Sequence, residues 1–159
     1  MGSTLTRFEK NPADIVLLHA GHNHTSEEQP VARIVVATES LIGTLRKTNP
    51  QVTVLLAQVI PSGKLPKYSY LPELNAELAK LAPRLHSVAS PVVLVNQAEG
   101  FDWHSDTVAD RVHPNARGAD KMAEKWFASL TQVLEKPKPS FPAAGTKRTG
   151  NGIPSPGSP

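Results

Sequence analysis

An Asp and a His three residues apart, in Asp110-Arg111-Val112-His113-Pro114-Asn115, have the types and spacing of hydrolytic chemistry. On one short loop a carboxylate orients an imidazole, and the imidazole takes a proton from a nucleophile. Far upstream, Gly21-His22-Asn23 closes an apolar run. A Gly-x-Asn turn at a strand end offers a backbone N–H and a side-chain amide to a developing oxyanion. These are two of the three parts of an acyl-transfer site. The third, a nucleophilic Ser on its own strand-to-helix turn, is not visible in the sequence.

Each of these residues also has a plainer reading. Asp110 and His113 are either a base with its orienting carboxylate or a solvated pair capping the next helix. Asn23 is either an oxyanion donor or a turn residue tolerant of left-handed backbone. Gly21 serves the turn in both cases. His19, His22 and His24 are spaced two and three apart, as metal ligands can be. Alternation along an extended segment would put His19 and His22 on opposite faces, and only Glu27 and Glu28 are acidic neighbours. No metal or other cofactor is expected, and His22 and His24 read as pocket lining. Trp103, in Phe101-Asp102-Trp103-His104, either stacks on a sugar or acyl group or packs on the core. Tyr68 and Tyr70 carry the same alternative. Ser62 and Ser105 read as turn residues, and His86 as a surface residue near a helix end.

The elements that would position these groups are legible as periodic segments. Apolar runs rich in β-formers occupy residues 14–20, 52–60 and 91–95. None alternates cleanly, as strands covered on both faces do not. Between them, residues 31–47 place Ile34, Val35, Leu41, Ile42 and Leu45 at helical spacing, and Asn49-Pro50 ends that helix. Residues 71–85 repeat the pattern through Leu74, Leu78, Leu81 and Leu85, with Pro83 near the end. Asn115 is an N-cap for a last helix whose stripe is Met122, Trp126, Phe127, Leu130, Val133 and Leu134, with Trp126 and Phe127 in the core. Residues 97–113 read as a loop.

The order strand–helix–strand–helix–strand–loop–helix predicts an α/β fold: a three-layer parallel sheet with right-handed crossovers. Gly21–His24, residues 61–70 and residues 97–113 would then all follow strand ends on one edge, where such sheets bind ligands.

Composition narrows the classes. The 159 residues fit one domain. Aromatics are only 5%, so the core rests on Val, Leu, Ile and Ala. The absence of Cys excludes a disulfide frame, Cys-ligated zinc and a thiol nucleophile. The net charge of +3 belongs to Lys136, Lys138, Lys147 and Arg148; without them 13 basic residues face 14 acidic ones. Nothing in residues 1–135 therefore points to nucleic acid. No stretch approaches the ~18 consecutive apolar residues of a membrane span, and residues 1–10 lack the apolar run of a signal peptide. Residues 136–159 hold 6 of 15 prolines and 4 of 10 glycines and are expected to be a disordered tail.

Together these segments resemble the SGNH (GDSL-type) hydrolases, and within them the branch of carbohydrate esterases such as acetylxylan esterases. Residues 14–23, Asp-Ile-Val-Leu-Leu-His-Ala-Gly-His-Asn, are similar to the family's third block, usually strand then Gly-x-Asn-Asp; here His24 stands in place of the last Asp. Asp110-Arg111-Val112-His113-Pro114 is similar to its fifth block. The resemblance spans about residues 11–135. It implies a flavodoxin-like sheet, small acyl esters as substrates, acetylated carbohydrate among them, and acyl transfer by a Ser/His/Asp set. By position His113 would be the base, Asp110 its orienting carboxylate, and Asn23 with Gly21 the oxyanion donors.

The family's Ser block and second-block Gly lie well before the Gly-x-Asn turn, and only 20 residues precede Gly21. Ser3 follows no strand and leaves no room for the intervening elements. The chain thus reads as the C-terminal portion of such a domain, truncated at the N-terminus, either working with a serine it does not show or surviving as an inactive binding remnant. In the family's strand order, 2-1-3-4-5, residues 14–20 would form an unpaired apolar edge, which invites homo-oligomerisation.

Overall fold

A computed structural model of the protein describes residues 8–23 and 30–135. Ser3, His24, Glu27, Glu28 and the 136–159 tail lie outside the described residues. The elements run β1 (Ile15–Leu18), α1 (Pro30–Thr48), β2 (Thr53–Ala57), α2 (Leu71–Leu85), β3 (Val92–Val95), α3 (Trp103–Asp106) and α4 (Ala116–Glu135). Among the described residues the three strands form one parallel sheet in the order β1-β2-β3, with Leu17 beside Leu55 and Val54 beside Val92. No helix of the described residues is long and apolar enough to cross a membrane.

Strand alternation divides the apolar side chains between two layers. Val54, Leu56 and Val92, joined by Val16 and Leu18, pack against Ile34, Ile42 and Leu45 of α1 and Leu74, Leu78 and Leu81 of α2. On the other face Leu55, Ala57 and Val95 meet Trp126, Leu130 and Val133 of α4. β2 is buried on both faces, which is why its run shows no alternation. α2 buries Leu71, Leu74, Leu78, Leu81 and Ala82, a stripe at helical spacing. Truncating a fully buried leucine such as Leu74 in that stripe costs about 2–5 kcal/mol.

Polar residues pin the element ends. Arg46 donates to Ser90 Oγ (2.9 Å), Leu85 O (2.6 Å) and Ser90 O (2.8 Å), tying the end of α1 to the α2–β3 connection. Asn49 donates to Ala13 O at 3.0 Å and closes α1 as its place before Pro50 predicts. Asn75 on α2 brackets Val59, accepting its N–H at 2.7 Å and donating to its carbonyl at 2.8 Å, which fixes the exit of β2.

Two expectations are corrected. Phe127 is not core: it is 72% exposed, and Leu134 is exposed too. Neighbouring helix positions lie about 100° apart, and α4 covers only the strip that Trp126, Leu130 and Val133 reach. Residues 97–113 are not all loop, because α3 sits inside them. Asp102 caps it, its side chain accepting the N–H of His104. Four residues are too few for a periodic signal.

β1 is the sheet's edge among the described residues, and Leu17 on it stands 46% exposed. Leu17 shares a sheet face with Leu55, yet α4 does not reach across to it.

Candidate active site

Parallel strands send their exits to one edge, so Gly21–Asn23, residues 61–70 and residues 97–115 converge there, as the element order predicts. The last of these loops carries the Asp110–His113 pair. His113 Nδ1 lies 2.5 Å from Asp110 Oδ2, and Asp110 Oδ1 accepts the N–H groups of Val112 (2.8 Å) and His113 (3.0 Å). The hydrogen bond from the His113 ring, with those two amides, holds the Asp110 carboxyl down at about 2. It is therefore ionised at neutral pH. Its contact assigns the proton to Nδ1 and leaves Nε2 to accept one. The His113 side chain is 77% exposed, open to solvent.

The loop is braced on every side. Thr107 and Pro114 form an antiparallel bridge, and Val108 N–H donates to His113 O at 2.9 Å. Asn115 caps α4, accepting the N–H of Gly118 at 3.0 Å, while its amide donates to Ser105 O and Thr107 O. Asp106 is fully buried beneath, 2.6 Å from Lys121 Nζ and 3.2 Å from Arg117 Nε. A burial of this kind is tolerable because the charge is paired and hydrogen-bonded.

The Gly-x-Asn turn is held by different means. Gly21 has φ +136°, open to glycine, and a Cβ there would lie 2.8 Å from Leu74 Cδ2. Tyr70 Oη donates to Gly21 O at 2.6 Å, and His22 Nε2 bonds Ile60 O at 3.0 Å. His19 and His22 do not diverge: their rings meet edge-on at 5.9 Å. Alternation ends with β1 at Leu18, and the glycine turn brings His22 back over His19. Burial, with the charge of His22, pushes His19 down to about 4. Burial likewise depresses His22, and the charge of His113 adds to that, so the two loops share one electrostatic field. Asn23 is exposed, and the left-handed position of the turn is Gly21 rather than Asn23.

Of the residues with two readings, Tyr68 is buried against His22, and Tyr70 anchors the turn. Trp103 is half-buried: a Cβ on Gly63 would lie 2.1 Å from its ring. Ser62 Oγ donates to Arg111 O at 2.9 Å, and Ser105 Oγ bonds Asp102 and Asp106, so both hydroxyls serve turns. His86 is exposed at the end of α2. Among the described residues no hydroxyl is hydrogen-bonded to His113, and no three metal-ligating side chains converge. Arg111, with φ +61°, and Asn75 escaped the sequence reading, since neither a left-handed Arg nor a helix-borne clamp leaves a local signature.

A parallel three-layer sheet bearing an Asp–His pair and a Gly-x-Asn turn at its strand ends defines the scaffold of an SGNH-type hydrolase. The model of the GDSL-like Lipase/Acylhydrolase family matches residues 2–121, and the chain belongs to that family. Among solved structures it is similar to a carbohydrate esterase family 3 protein from Talaromyces cellulolyticus, with a TM-score of 0.74 and 21% identity. It is equally similar to a mutant acetyl esterase with an acetate ion, with a TM-score of 0.75 and 21% identity. In both comparisons 84% of this chain and 65% of the other is covered, so the chain spans less than two thirds of their length. The salicylyl-acyltransferase SsfX3 from a tetracycline biosynthetic pathway aligns with a TM-score of 0.58 and 15% identity, over 84% of this chain and 42% of that one. At these identities the likeness is one of fold. No curated protein matches the chain.

Proposed function

We propose that the chain carries the base, its carboxylate and the oxyanion turn of a carboxylic-ester hydrolase acting on small acyl esters, acetylated carbohydrate among them. The observation that carries this reading is the Asp110–His113 contact, with Nε2 left open, in a member of the GDSL-like family. The carbohydrate and acetyl esterases of the same fold support the choice of substrate.

The nucleophile in this reading is a serine that the sequence does not show. Its hydroxyl adds to the ester carbonyl as His113 Nε2 takes the proton. Ionised Asp110 stabilises the imidazolium formed. The carbonyl oxygen, now negative, receives the Gly21 N–H and the Asn23 amide. Collapse expels the alcohol, which takes the proton from His113, and water then repeats the cycle on the acyl-serine. His22 lines the pocket in this reading, and Trp103 borders it.

The test is hydrolysis of p-nitrophenyl acetate beside labelling with a serine-directed fluorophosphonate, for the wild type and His113→Ala. The expected result is turnover and labelling that both depend on His113, with the tagged serine then located by mass spectrometry. A second reading, an inactive remnant that binds or associates, is favoured by the lack of a hydroxyl on His113 among the described residues. Wild type and variant alike in both assays would establish that reading instead.

A further inference from the structure

We propose that the depression flanking the Asp110–His113 loop is a subsite for a carboxylate-bearing pyranose, with Arg111 reading the carboxylate. The inference rests on the ester-hydrolase reading and narrows its alcohol to a uronate-containing carbohydrate. The depression, of about 530 Å³, is lined by Trp103, His104, Thr107, Val108, Ala109 and Arg111. His113 stands two residues beyond Arg111 on the same loop.

Arg111 adopts φ +61°, a left-handed backbone that Gly and Asn adopt readily and most other residues rarely. The structure fixes it there by three bonds: its N–H donates to Val108 O, and its carbonyl accepts Gly63 N–H and Ser62 Oγ, each at 2.9 Å. Gly or Asn would meet the same bonds without strain. Strain maintained in this way is a mark of a functional position. What Arg adds is a guanidinium, and it lies 5.6 Å over the ring centroid of Trp103.

Three other arginines show what this one lacks. Arg84 pairs with Glu39, Arg117 with Asp106, and Arg46 spends its donors on Ser90 and Leu85. Among the described residues no carboxylate pairs with Arg111. A planar fork on a fixed support is the geometry that binds a carboxylate. Beside it His104 stacks on Trp103 with centroids 3.4 Å apart, its Nδ1 tied to Asp102 Oδ1 at 3.0 Å and its side chain 68% exposed. An exposed, immobilised ring offers a flat surface to the apolar face of a pyranose.

The test is calorimetric titration of the full chain with methyl β-D-glucuronide and methyl β-D-glucoside. The wild type is expected to prefer the glucuronide by roughly tenfold or more, the value of one charge-assisted hydrogen-bonded contact. Arg111→Gly and Arg111→Asn, both at ease in left-handed backbone, are expected to lose the preference while melting no lower than the wild type. His104→Ala is expected to weaken both sugars. Equal affinities in the wild type, no glucuronide binding, or a preference retained by both Arg111 variants would overturn the assignment. Binding needs no nucleophile, so an inactive esterase leaves this experiment decisive.

Discussion

Gly118, in the first turn of α4, touches the backbone of Asp106: a Cβ on Gly118 would lie 2.1 Å from the Asp106 carbonyl oxygen. That same oxygen accepts the N–H of Asn115, the α4 cap, at 2.9 Å. The helix therefore rests directly on the loop that ends in Asp110 and His113. Gly118→Ala must push the two backbones apart, at an overpacking cost of about 1–3 kcal/mol. Thermal denaturation is expected to show the loss, and a melting temperature equal to the wild type would refute the contact.

Acid should weaken the fold through His19. Its native value of about 4 lies below the ordinary 6.5, so between these values the unfolded chain binds the extra proton. Stability is thus full above about pH 6.5 and declines as pH falls toward 4. His19→Phe is expected to flatten the melting temperature over that window. An unchanged slope would place the acid sensitivity elsewhere.

Asp110 acts on stability in a lower window. Its carboxyl is held at about 2, chiefly by the His113 ring, so its contribution is complete above the ordinary carboxylate range and is lost as pH falls from about 4 to about 2. Asp110→Asn is expected to remove that acid limb. In the esterase reading it also lowers turnover by roughly 10²-fold or more by unseating the His113 tautomer. A variant with full turnover would remove Asp110 from the mechanism.

The edge strand and the exposed apolar residues should govern association. Leu17 and Phe127 are exposed, and β1 has a free side among the described residues. Size-exclusion is expected to show an oligomer or a poorly stable monomer, and Leu17→Lys to shift any oligomer toward monomer. A wild type that runs as a clean monomer when dilute and melts cooperatively would refute this.

What the sequence disclosed, it disclosed where burial imposes a period. β2 reads as a continuous apolar run because helices cover both its faces. α2 is recovered from Leu71 to Leu85 because its stripe faces a single layer. The Asp110–His113 spacing and the Asn115 cap are legible because both contacts are local in sequence. What stayed hidden depends on single torsions or distant partners. The meeting of His19 with His22 follows from one φ at Gly21, and the grip of Ser62 on Arg111 spans 49 residues. Phe127 misleads because an amphipathic stripe tells which side faces inward, not how far the covered layer extends.

The 2.8 Å approach that a Cβ on Gly21 would make to Leu74 has a consequence for how the protein can vary. The Gly-x-Asn turn has no insulation from the hydrophobic interior; it is seated on a leucine of α2. In the esterase reading, a change in side-chain shape at position 74 is therefore also a change in the seat of the turn, although Leu74 itself meets no substrate.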